Sequence, residues 1–145
     1  MDAPNTCQIF DWLWTSGQPS ATDIAQMPSL GIETVINLAL PTSPGALPDE
    51  ARLVTSLGLT YIHLPIVWES PQRADFTRFS RLLGALHGQP VWLHCAMNMR
   101  VSAFVYLYRR VSLHHDPATA ATPMLSIWQP NETWQAFINT ILASS

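Results

Sequence analysis

Val91-Trp92-Leu93-His94-Cys95-Ala96-Met97-Asn98-Met99-Arg100-Val101-Ser102 passes from an apolar, strand-like run through a short turn into an apolar, helix-like run. In such a turn several backbone N–H groups converge, and the helix N-terminus adds partial positive charge. A tetrahedral oxyanion can then be held with few cationic side chains. The same field favours a thiolate at Cys95, and Arg100 adds a planar fork that binds two oxygens of one anion. Most strand cysteines are small, inert hydrophobes. Cys95 is set apart because it is the last residue before the turn, follows His94 and precedes Arg100 by five positions. Cys7 has none of these features and reads as structural.

The flanking sequence alternates strand and helix signals. Gln8 to Trp14 alternates and is aromatic enough for a first strand. Ser20 to Asp23 forms an S-x-x-D start for a short helix limited by Pro28 and Gly31. Thr34 to Ala39 (TVINLA) and Leu59 to Leu64 read as strands. Pro48 with Asp49 and Glu50 opens a helix that Gly58 ends. Phe76, Phe79, Leu82, Leu83 and Leu86 recur at helical spacing ahead of Gly88. Val101 to Val111 is a further helix, and Asp116-Pro117 and Asn131 start two more. The order predicts an α/β fold: a mainly parallel sheet of about four to five strands flanked by helices. No repeat or linker interrupts the chain, so residues 1–145 read as one domain.

Composition narrows the function. The chain has 145 residues, 48% hydrophobic and 12% charged, with a net charge of -3. That suits a folded domain burying about two thirds of its unfolded surface and argues against disorder. So few charges leave room for apolar surface shared with a second copy in a homo-oligomer. All seven basic residues are arginines and none forms a run, so nucleic acid is not an expected partner. No apolar stretch approaches membrane-spanning length, and Met1 to Phe10 lacks the pattern of a secretion signal, which makes the cytoplasm the default compartment. The cysteine spacing suggests neither a metal knuckle nor a disulfide framework. His63 reads as a strand side chain. The adjacent pair His114-His115 cannot put both rings on one helix face. No metal or cofactor is expected.

The chain resembles the cysteine-dependent tyrosine phosphatase superfamily, especially its compact bacterial dual-specificity-like members. The resemblance is carried from Ser16 to about Arg110 by SGQP, TVINLA, the Asp49-Glu50 helix, GLTYIHLPI and VWLHCAMNMR. It implies a phosphatase-like fold and hydrolysis of phosphomonoesters, on a phosphorylated protein or a small aryl phosphate, through a phosphocysteine on Cys95. Arg100 would hold the equatorial oxygens, with Ala96, Met97, Asn98 and Met99 completing the phosphate loop. His94 would support that loop, and the Ser102 hydroxyl would help the thiolate leave. One departure is clear. The family has five residues between Cys and Arg, whereas this chain has four, and Val101 stands where the arginine is expected. Asn98 replaces the usual glycine and tolerates positive φ better than other side chains.

Rhodanese-type sulfurtransferases share the shorter loop and would use a Cys95 persulfide. The chain carries neither their acidic-Val-Arg element nor their G-H-I-P-G-A-like segment. A third possibility is a catalytically inactive, oxyanion-binding pseudophosphatase. The resemblance places an acid soon after HLPI, where Val67 and Trp68 stand, so Glu69 is the nearest candidate for proton donation to the leaving group. Asp75 reads better as the N-cap of the next helix. Trp68 could stack on an aryl substrate. Trp128, Trp134, Phe137, Ile138 and Ile141 read as the packing face of the last helices.

Overall fold

A computed structural model describes residues 1–145. Five short strands form one sheet: β1 (Cys7–Phe10), β2 (Leu13–Ser16), β3 (Thr34–Asn37), β4 (Thr60–His63) and β5 (Val91–His94). Their order across the sheet is β1-β2-β5-β3-β4, antiparallel between β1 and β2 and parallel elsewhere. The expected single strand from Gln8 to Trp14 is therefore a hairpin, in which Phe10 pairs with Leu13 around Asp11-Trp12. The aromatic alternation runs through this tight turn without the glycine or asparagine that usually marks one.

Alternate residues of β5 feed two cores, as strand geometry requires. Val91 and Leu93 join Leu13 and Ile36 against α3 (Arg73–Ala85), α4 (Met99–Val111), α5 (Pro117–Ile127) and α6 (Glu132–Ala143). Trp92 joins Val35, Ile24 and Val54 against α1 (Ala21–Gln26) and α2 (Glu50–Ser56). The continuous apolar run in α4 follows from its central place, with every residue from Arg100 to Arg109 buried. Full burial of each large apolar side chain there contributes about 1.5–3 kcal/mol.

Helix ends follow local chemistry. Ser20 caps α1 and Asp23 returns the bond, while Asp116 and Asn131 cap α5 and α6. Asp75 is not the cap of α3. The cap position is Gln72, whose backbone N–H donates to the Asp75 carboxylate at 2.8 Å from one turn inside the helix. No helix is long and apolar enough to cross a membrane.

Candidate active site

The carboxyl ends of β2, β3, β4 and β5 open into one region, where α/β sheets bind their ligands. Cys95 follows the last residue of β5, and Ala96 to Asn98 carry the chain into α4. Asn98 sits at φ 66°, the left-handed conformation its side chain tolerates, so the tight turn survives without glycine. The backbone N–H groups of Ala96, Met97, Met99 and Arg100 have no acceptor in the chain. They surround the start of a 13-residue helix, and together these features make a donor-rich cradle.

The cradle is stitched to the segment after β2. Gln18 N–H donates to Ala96 O at 2.9 Å, Cys95 N–H to Ser16 O at 3.3 Å, and Gly17 pairs with Met97. Gly17 is required by proximity, since a Cβ there would press into Ala96 O and stand 2.9 Å from Pro4 Cγ. The N-terminal arm braces the other side. Gly17 N–H donates to Pro4 O at 2.7 Å, Asn5 Nδ2 to Met97 O at 2.9 Å, and Asn98 Nδ2 to Asn5 O at 2.8 Å and Thr15 Oγ1 at 3.1 Å.

His94, fully buried, supports the cradle from beneath. Its Nδ1 donates to Cys95 O at 3.1 Å, and its Nε2 lies 2.6 Å from the Glu50 carboxylate. Both ring nitrogens thus face acceptors, the Cys95 carbonyl and the Glu50 carboxylate. Gln18 Nε2 donates to the other Glu50 oxygen at 2.8 Å. The sequence marks Glu50 only as a helix-opening acid. Nothing in the local sequence separates it from Asp49, which is exposed and pairs with Arg52 instead.

Arg100 is 5% exposed and has no carboxylate partner. Nη1 donates to Ile66 O at 3.0 Å and Nη2 to Ser43 Oγ at 3.4 Å, and the guanidinium lies 5.9 Å from the Trp68 ring centroid. These bonds use two of the five N–H donors a guanidinium carries. A cavity of about 430 Å³ lies beside it, lined by Cys95, Ala96, Met97, Met99 and Arg100, with Trp68 and Glu69 on one wall and Leu40, Ser43 and Pro44 on another. A buried, carboxylate-free cation next to a thiol and unpaired N–H groups is a site for a compact anion.

The remaining candidates fall into place around this cavity. Glu69 is exposed on its wall. Ser102 lies one turn into α4, and its hydroxyl donates to Met99 O at 2.9 Å and accepts from Trp128 Nε1 at 3.0 Å. No hydrogen bond joins it to Cys95. Trp68 packs on Trp128 and Trp134 while lining the cavity, and Trp134 Nε1 donates to its carbonyl. His63 is a satisfied strand side chain, donating through Nε2 to Ala39 O at 2.6 Å. His115 accepts from Arg109 Nε. Cys7 is half-buried, and burial pushes its thiol above the usual value.

Known proteins carry the same fold. The "Putative phosphatase (DUF442)" of Shewanella putrefaciens CN-32 matches 99% of this chain and 94% of its own, at 30% identity and a TM-score of 0.85. The chain belongs to the DUF442 family. Two more distant structures share the architecture of this DUF442 chain. Tk-PTP in its active form is 14% identical with a TM-score of 0.80, covering 98% of this chain and 99% of its own. TpbA of P. aeruginosa, in complex with pTyr, is 19% identical with a TM-score of 0.74, covering 97% and 89%. The fold is thus that of cysteine-based, tyrosine-phosphatase-like proteins. No family model matches the sequence, and no curated protein does.

Proposed function

We propose that the protein is a cysteine-dependent phosphatase that hydrolyses phosphomonoesters through a phosphocysteine, with aryl esters such as phosphotyrosine favoured. The observation that carries this reading is the buried Arg100 guanidinium, without a carboxylate partner and lining one cavity with Cys95. Membership of a family whose Shewanella relative bears a phosphatase name supports it. So does the pTyr bound to a protein of the same fold.

In the proposed reaction the Cys95 thiolate attacks phosphorus and the ester P–O bond breaks. Unused Arg100 guanidinium donors and the free peptide N–H groups of Ala96, Met97, Met99 and Arg100 bind the equatorial oxygens, whose charge is greatest in the transition state. Glu69 gives its proton to the departing oxygen. Its carboxylate then takes a proton from the water that attacks the phosphocysteine, releasing inorganic phosphate and restoring the thiolate. The His94–Glu50 pair positions Cys95 through its carbonyl. In this scheme Ser102 acts by holding the first turn of α4, because its proton is committed to Met99 O. Leu40, Pro44, Trp68, Met97 and Met99 give the cavity an apolar lining that suits an aromatic leaving group.

The test is p-nitrophenyl phosphate turnover by wild type and Cys95→Ser without added metal. Release that disappears in Cys95→Ser is expected. No Cys95-dependent release, with tungstate still bound through Arg100, would make the protein an inactive oxyanion binder. The four-residue loop gives a second reading, sulfur transfer through a Cys95 persulfide, which predicts thiocyanate formation from thiosulfate and cyanide.

A further inference from the structure

Ser43 occupies the turn between β3 and α2. Its backbone N–H donates to Leu40 O at 2.9 Å, and Leu40 N–H donates back to Ser43 Oγ at 3.1 Å, so the turn closes on itself. Arg100 Nη2 donates to the same oxygen. A hydroxyl has two acceptor lone pairs and one proton. Here both lone pairs are used, and no atom of the chain accepts the proton. The side chain lines the cavity with Cys95 and Arg100. The turn behind it is held by Asn37 Oδ1, which accepts from Ala39 N–H at 2.8 Å, and by His63 on Ala39 O.

We infer that Ser43 is a direct ligand of the substrate's phosphoryl group, donating its free hydroxyl proton to a phosphoryl oxygen from the wall formed by the β3–α2 turn. The inference rests on the phosphatase reading and deepens it. A four-residue loop presents one peptide N–H fewer than a five-residue loop. The Ser43 hydroxyl supplies a donor from a separate element, and its bond to Arg100 couples it to the guanidinium that grips the same anion. A hydrogen bond to a charged oxygen is about twice as strong as a neutral one, so its loss is measurable.

The experiment titrates sodium tungstate calorimetrically into Cys95→Ser, and into the same protein carrying Ser43→Ala or Ser43→Thr. Ser43→Ala is expected to raise Kd about tenfold, while Ser43→Thr, which keeps the hydroxyl, stays within about threefold. A role confined to steadying Arg100 is separated by repeating the Ser43→Ala change in an Arg100→Lys background. A direct ligand weakens tungstate there as well, and no further loss overturns the inference. Unchanged affinity in Cys95→Ser/Ser43→Ala overturns it too, while wild-type turnover that depends on Cys95 leaves the phosphatase reading standing. Failure of tungstate to bind Cys95→Ser at all likewise overturns the inference, whereas only the absence of Cys95-dependent turnover removes the phosphatase reading.

Discussion

Replacing Gly17 with alanine tests whether the cradle's shape is set by the strand beside it. The added Cβ would fall about 1 Å short of ordinary contact with Ala96 O and would crowd Pro4 Cγ and Met97 Cα, at 2.9 and 3.0 Å. Two of these neighbours are backbone atoms of the Cys95–Arg100 loop, so no side-chain rotation relieves the clash. Gln18 N–H holds the same Ala96 carbonyl at 2.9 Å, which makes the loop, rather than the Gly17 segment alone, absorb the displacement. Overpacking of this kind costs about 1–3 kcal/mol of stability. A misplacement of about 1 Å at a reacting centre can cost about 100-fold in rate. We therefore expect Gly17→Ala to lower kcat/KM for p-nitrophenyl phosphate about 100-fold while the protein stays folded at 25 °C. Gly84→Ala is the control, since its Cβ meets only Tyr108 Oη at 3.9 Å and alanine is the better helix former. Unchanged kcat/KM in Gly17→Ala, measured beside its urea unfolding curve, would refute the idea that close backbone approach shapes the cradle.

Four further outcomes follow from the geometry. Arg100→Lys keeps a charge but loses the fork and its reach to Ile66 O and Ser43 Oγ, so kcat/KM should fall about 100- to 1,000-fold, with a loss under tenfold counting against the anion site. Glu50→Ala leaves His94 Nε2 without its buried acceptor and should cost about 1–3 kcal/mol in chemical denaturation, whereas a cost under about 0.5 kcal/mol would show that the pair does little. Glu69→Gln should leave kcat/KM for p-nitrophenyl phosphate, which reports transfer to Cys95, within about threefold but cut kcat/KM for an alkyl phosphate about 100-fold; equal kcat/KM losses on both substrates would reassign the acid. Burial alone would raise the Asp23 carboxyl, but N–H bonds from Asp2 and Ser20 outweigh it and hold the group below its usual value. Its contribution is therefore complete above the unfolded value near about 3.9 and is lost as pH falls through the lower folded value. The stability gap between wild type and Asp23→Asn should shrink in that acid window, and a gap independent of pH would contradict the assignment.

The parts of this molecule legible in its sequence are those governed by local chemistry. Ser20, Asp116 and Asn131 cap the helices expected of them because a short polar side chain before a helix has one dominant use. The run from Val91 to Ser102 announces strand, turn and helix through a change of period that needs no tertiary information. What stayed hidden depends on contacts between distant residues. Glu50 lies 44 positions from His94, and Asn5 lies 92 from Met97. Ser43 sits in a proline-flanked loop whose composition says only that the chain turns there. The first hairpin is hidden for a local reason, since Asp11-Trp12 makes a tight turn with residues that do not advertise one. Asp75 serves α3 from inside the first turn rather than from the cap, because an acid suits a helix start equally well at either place.

Pro4 and Asn5 brace the loop behind Cys95, Pro4 on Gly17 and Asn5 on Met97 and Asn98. Under the proposed function, a change at the N-terminal end would reach the Cys95–Arg100 loop through these same hydrogen bonds. Purification handles therefore belong at the opposite terminus, and a preparation nicked near Thr6 should be assayed separately from the intact chain.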